Sequence, residues 1–223
     1  MQESTRPLTR ALTHAVWIRC LIACLVCLVT AVPATQASEV SGVKFEEKIR
    51  LGATELVLNG AGIRYAAAGL VRVYVIGLYL PQKRTTSGEI AALRGPKRVQ
   101  IHLLRDINAN DFSRGLLQGI KNNLNMSEQQ KHFDSLVRLG HIFGQVPSMK
   151  RGEIIQVDQI PGTGTVVLLN GKRASDPFPD ETFWNALVQI WIGPKPIEES
   201  LKPVLLGLVP SNDNAVRHQE SRF

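Results

Sequence analysis

Beyond residue 27 the chain has no cysteine: Cys20, Cys24 and Cys27 all lie near its start. A protein built from the remainder can hold no disulfide and no thiolate metal site. Aromatic residues are few, 6% of the chain, and no aromatic stripe accompanies its 26 evenly spread lysines and arginines, so nucleic acid is not the expected partner. The main apolar run, Cys20 to Val32, has 13 residues, short of the roughly 20 that cross a bilayer as a helix. GxSxG, HExxH and P-loop patterns are absent. The five histidines (His14, His102, His132, His141 and His218) have no ligand-spaced partners. Neither a metal nor a cofactor is expected.

What is present begins with a leader-like segment. Arg6, Arg10 and Arg19 precede the apolar run, and Pro33-Ala34-Thr35-Gln36-Ala37 follows it with small residues at Thr35 and Ala37. This three-part order predicts a signal peptide over residues 1–37, cut before Ser38, and hence a periplasmic protein with no stable membrane span after cleavage. An uncleaved anchor is the plainer alternative. Removing 37 of 223 residues leaves 186, and takes away three arginines and Glu3, so the charge of +7 falls to +5. A domain of that size without staples must stand on its hydrophobic core, and it is large enough to do so.

Periodicity sets out the domain over 38–209. Val43 to Leu51 reads as a strand, and Glu55 to Leu58 as a short one ended by Asn59-Gly60-Ala61-Gly62. Leu70 to Leu80, rich in β-branched and aromatic residues, reads as a long strand stopped by Pro81. Arg98 to Leu104 alternates, Ile154 to Val157 and Thr165 to Leu169 are strands, and Asn170-Gly171 predicts a type I′ hairpin to one more. Phe112, Leu116, Ile120 and Leu124 mark an amphipathic helix capped by Asn110, and Ser127 with Gln130 a second. Asp180 to Ile192 and Glu198 to Leu206 predict two more helices, the former buried. The polar tail 210–223 is expected to be disordered. Strands, then helices, then both again indicate an α+β fold with an antiparallel sheet and helices on one face.

Two glycine clusters carry no nucleotide site. Gly60-Ala61-Gly62 is followed by Tyr65 where a third glycine belongs, and Pro161-Gly162-Thr163-Gly164 joins two strands. The informative stretch is 58–80, which holds all three tyrosines, Tyr65, Tyr74 and Tyr79. Alternation places Arg72, Tyr74, Ile76 and Leu78 on one strand face and Val73, Val75 and Tyr79 on the other. Arg64 and a strand tyrosine could set a guanidinium and a phenol at the edge of an apolar cavity, a pair suited to a carboxylate on an apolar body. A surface arginine beside core tyrosines is the alternative reading.

LNGAGIR (58–64), VYVIGLYL (73–80), QIPGTGTVVLLNG (159–171) and IWIG…P…LK…LLG (190–207) together resemble the chalcone-isomerase-like family, most of all its exported bacterial branch. The resemblance implies an open-faced β-sandwich, a large antiparallel sheet layered with helices. In the plant isomerases the arginine after the Gly-Ala-Gly turn falls at Arg64 and a strand threonine at Tyr74. Their helix tyrosine and asparagine fall at Phe112 and Gly119, and the last pocket pair at Ile190 and Trp191. The plastid fatty-acid-binding branch instead pairs the arginine with a tyrosine in a strand similar to residues 72–79. The resemblance therefore implies a non-catalytic binder of a fatty acid or similar amphipathic carboxylate, and a monomer is expected. Its expected contacts are Arg64, Tyr74, Ile76, Phe112, Leu116, Ile190 and Trp191. An intramolecular lyase or isomerase closing a ring on an enone, with Arg64 as its catalytic group, is one alternative. An envelope structural or assembly factor with a vestigial pocket is another.

Overall fold

The computed structural model describes residues 37–67, 69–145 and 148–214. A hairpin of β1 (Ala37–Val40) and β2 (Val43–Glu46) comes first, then β3 (Lys48–Leu51), β4 (Thr54–Ala66) and β5 (Val71–Leu80). Helix α1 (Ser87–Ala92) leads into β6 (Lys97–Leu103) and β7 (Ile107–Asn108). Three helices follow, α2 (Ala109–Asn123), α3 (Met126–Lys131) and α4 (Phe133–Gly144). Then come β8 (Ser148–Met149), β9 (Ile154–Ile160), β10 (Gly164–Leu169), β11 (Lys172–Arg173), α5 (Phe183–Ile192) and α6 (Leu201–Leu205). Seven strands form one antiparallel sheet in the order β11-β10-β9-β6-β5-β4-β3, with β1–β2 and β7–β8 as separate pairs.

The helices bury one face of this sheet. Tyr74, Ile76, Leu78 and Leu80 of β5 meet Trp184, Leu187, Ile190 and Trp191 of α5 in the main core. On the other face Val75, Tyr79, Ile63 and Tyr65 pack with Phe45 and Val40 of the β1–β2 hairpin. The strand alternation read from Val99, Ile101 and Leu103 holds: these are buried, while Arg98, Gln100 and His102 face the other way. There Arg98 donates two bonds of 2.6 Å to the buried Asp158 of β9.

Several expectations are corrected. Gly60 to Gly62 is no turn; β4 runs through it for 13 residues. The glycines are there because α6 lies directly on the strand: a Cβ at Gly60 would stand 1.9 Å from the Val204 carbonyl oxygen, and one at Gly62 would stand 2.8 Å from Leu201. Val43 to Leu51 breaks at Glu47, because β2 pairs with β1 and β3 with β4. Asn108, not Asn110, caps α2, its side chain accepting from the Asn110 and Asp111 amides. Asn125 and Glu128, not Ser127 and Gln130, form the next capping box. The helix it opens ends at Lys131, and a separate one starts at Phe133. Helices α5 and α6 start three residues later than expected.

The Asn170-Gly171 hairpin holds, with φ of 50° and 77° at its two central residues, as a type I′ turn requires. The described residues extend past Pro210 to Asn214. A 3-10 turn at Asn212–Asn214 sets the Asn212 amide between the Ile63 N–H and C=O, at 2.8 and 2.9 Å, as a strand neighbour would. The rest of the expected tail and the expected signal peptide through residue 36 lie outside the described residues.

Candidate functional site

The site grows from two irregularities in the β4–β5 pairing. Leu58 pairs with Tyr79 and Gly60 with Leu78, so Asn59 is an extra residue on β4; Arg64 pairs with Tyr74 and Tyr65 with Arg72, so Val73 is an extra residue on β5. A bulge re-aims the side chains beside it. Arg72 is therefore not on the Tyr74 face: it lies opposite Tyr65 and donates to the Ser41 hydroxyl of the β1–β2 turn. Val73, expected on the far face, lines the helix-side cleft instead.

Arg64 and Tyr74 are thus cross-strand neighbours on the helix side. They flank a cleft of about 170 Å³ between the ends of β4 and β5, the start of α2 and the end of α5. Its apolar walls are Ala66, Val73, Ile107, Phe112, Leu116, Ile190 and Ile197, with Gly115 between the α2 side chains and Asp111 at the rim. A second, wholly apolar void of about 20 Å³ lies deeper, sharing Phe112 and Leu116 and reaching Phe143 and Trp191. Phe112 stands edge-on to Tyr74 and to Phe143, with ring centres 6.4 and 5.0 Å away.

Of the seven expected contacts, Arg64, Tyr74, Phe112, Leu116 and Ile190 come together around this cleft. Trp191 sits behind it: its indole N–H donates to the Tyr74 hydroxyl at 2.9 Å. Ile76 is apart, fully buried in the main core and opposite Gly62. Ala66, Val73, Ile107, Asp111, Gly115 and Ile197 line the cleft without having been among the expected contacts. Gly115 carried a signal, a residue without a side chain beside Phe112 and Leu116; a Cβ there would meet nothing within 4 Å.

The polar groups are few and oriented. Arg64 spends one guanidinium N–H on the Tyr65 carbonyl, leaving donors of its five. Among the described residues no ion pair engages it. Burial pushes the Tyr74 phenol up to about 12, against smaller downward pulls from the Trp191 bond and the Arg64 charge. The phenol is neutral at ordinary pH. Because its oxygen already accepts from Trp191, its own proton is available to an acceptor in the cleft. Glu198, which holds the Tyr65 amide at 2.8 Å, belongs to the outer edge of β4. Gly119 has no polar side chain to offer, and Ile190 packs where its Cβ would be, at 2.9 Å. Among the described residues no three His, Cys, Asp or Glu side chains could share a metal ion, and no helix is long and apolar enough to cross a membrane.

Comparison with known proteins agrees with this architecture. The sequence profile of the family described as chalcone isomerase-like matches residues 37–207. The fold is similar to the crystal structure of a fatty-acid binding protein from Arabidopsis thaliana. The TM-score is 0.60 at 16% identity, over 81% of this chain and 97% of that one. Among curated proteins none matches in sequence.

Proposed function

Because the chain belongs to the chalcone isomerase-like family, we propose that it uses the Arg64–Tyr74 cleft to bind a fatty acid or similar amphipathic carboxylate, without catalysis. The observation that carries this reading is the pair itself. A guanidinium and a neutral, buried phenol stand side by side in a cleft with apolar walls, where the Asp111 carboxylate at the rim is paired with Arg114. Guanidinium takes a carboxylate in two-pronged fashion and the phenol adds one more donor. The apolar walls then take the tail. The fold it shares with a protein that binds fatty acids supports the same reading.

Ring closure on an enone would need groups that position substrate and water as well as a charge for the enolate. Phe112 and Gly119, where the resemblance puts the tyrosine and asparagine of the plant isomerases, supply neither hydroxyl nor amide. The cleft offers binding without that apparatus. Export is the other half of the proposal: residues 1–37 have the order of a signal peptide, and the family match begins at residue 37.

Native mass spectrometry of protein from the cell-envelope fraction tests both halves. The expected species starts at or near Ser38 and carries a non-covalent ligand of fatty-acid mass. A chain retaining Met1 to Ala37 contradicts export. Protein with an empty cleft that also fails to take up added fatty acid contradicts the binding proposal.

A further inference from the structure

The strand order brings four separated stretches to the end of the sheet where the cleft opens. Ala66 and Val73, which line the cleft, flank the β4–β5 connection, and Leu70 in that connection is 86% exposed. Tyr74 pairs with Leu103 and the Leu104 amide bonds Val73, so Arg105 lies at the same end. The Leu103 amide and carbonyl are held by Glu153 and Gly152, which brings Lys150 and Arg151 there. His102 pairs with Ile154 and Leu169 with Ile155, so the β10–β11 hairpin adds Lys172 and Arg173.

With Arg72 at the start of β5, this end presents six exposed basic residues. The acidic residues of the same stretches are Asp106 and Glu153. Asp106 is engaged by the Lys150 ammonium at 3.0 Å and the Arg151 amide, and Glu153 by the Lys150 amide and Asn170. Six basic against two acidic leaves +4 over these stretches, in a row that runs from Leu70 and Arg72 on one side to the β10–β11 hairpin on the other, while Asp111 at the cleft rim is paired with Arg114. Glu198 and Asp213 accept from the Tyr65 and Ser41 amides at the outer edge of β4, beside Arg72, which donates to the same Ser41, so the uncompensated charge lies toward Arg105, Lys150, Arg151 and the β10–β11 hairpin.

We propose that this end of the sheet docks on an anionic lipid bilayer, with the basic residues facing lipid headgroups and Leu70 entering the interface. Clustered lysines and arginines are drawn to an anionic leaflet, and an exposed leucine at one side of their row gains by leaving water. A nucleic acid would find the charge there but no ring to stack on. Docking turns the cleft mouth toward the membrane, so an acyl chain passes between bilayer and cleft without crossing bulk water. The surface rests on residues other than the carboxylate pair, and it stands or falls separately from the ligand reading.

The test is vesicle flotation of the full chain with phosphatidylcholine alone and with phosphatidylcholine containing phosphatidylglycerol. Binding is expected to need the anionic lipid and to weaken with salt. Lys172→Glu with Arg173→Glu should weaken it by about 30-fold or more, at about fivefold for each basic residue lost. Leu70→Ser should cost about tenfold. Lys83→Glu with Arg94→Glu makes the same change of net charge at the opposite end of the sheet and should leave binding within about twofold. The apolar run at residues 20–32 is common to all variants, so it cannot produce these differences. Equal binding to neutral vesicles, equal loss from charge reversal at either end, or no loss from Leu70→Ser would overturn the proposal.

Discussion

Two clefts among the described residues differ in kind, and the larger is the less suited to a ligand. The larger, about 360 Å³, lies along the outer edge of β4 and is lined by Ser38, Glu47, Asn59, Lys83 and the segment 207–211. Its surroundings are tied together for folding. Asn59 holds the Arg84 and Leu205 backbones, Asn212 occupies the strand edge at Ile63, and Gly60 lets α6 lie on β4. The smaller, about 170 Å³, has apolar walls and two polar groups whose donors are not used up by the protein. Recognition follows from where unspent donors meet an apolar wall, and volume alone says little about it.

If the edge cleft is structural, damage there should appear in stability and not in ligand affinity. Gly60→Ala drives a Cβ into the Val204 backbone at 1.9 Å, where no side-chain rotation relieves it. Overpacking against backbone should cost about 3 kcal/mol or more, read as a fall in melting temperature. The fraction that remains folded should bind fatty acid normally. A stable Gly60→Ala protein with lost affinity would reverse the roles of the two clefts.

The apolar cleft makes its own contribution to stability through Tyr74, and pH exposes it. Burial raises this phenol to about 12 in the folded protein, against about 10 for an unperturbed tyrosine. The folded state keeps a proton that the unfolded chain releases above pH 10. The stability tied to this group is therefore full below pH 10 and falls between pH 10 and 12, by about 3 kcal/mol in all. Tyr74→Phe cannot titrate, so wild-type stability should decline relative to the variant across that window in urea unfolding. A constant difference would mean that Tyr74 is not buried as described.

Filling the apolar cleft sharpens the contrast from the other side. A side chain at position 115 points into open space, and replacing a helical glycine gains about 0.5–1 kcal/mol of helix stability. Gly115→Leu should keep or raise the melting temperature while fatty-acid affinity drops by about 100-fold, because the leucine takes the space in which the tail would bury its apolar surface. Unchanged affinity in this variant would place the ligand elsewhere.

How far the sequence discloses all this depends on whether a signal is local. Strands β5 and β6 and the Asn170-Gly171 hairpin are legible because alternation and turn chemistry act between neighbours. Gly60 to Gly62 misleads: glycine marks turns, but here it admits a helix some 140 residues further along the chain. Caps shift by two residues where several cap-capable residues adjoin, as in 108–111 and 125–128. Helix α1 has a capping box at Thr86 and Glu89, but at six residues it is too short for apolar periodicity to mark it. Bulges leave no mark on alternation, so the exchange of Arg72 and Val73 between faces could be seen only in the paired strands. Arg64, Tyr74, Phe112 and Ile190 were legible through the resemblance and Leu116 through helical periodicity; Ile76 followed from alternation, which reports a face but not how deep in the core a residue lies.

The carboxylate clamp is tested most directly by titrating wild type and Arg64→Ala calorimetrically with a fatty acid and its methyl ester. The acid should bind wild type well and the ester poorly. Loss of a charged hydrogen bond in Arg64→Ala should weaken the acid by about 1.5–3 kcal/mol, or about 10–150-fold, and leave the ester unaffected. Equal affinity of wild type for acid and ester would contradict the account.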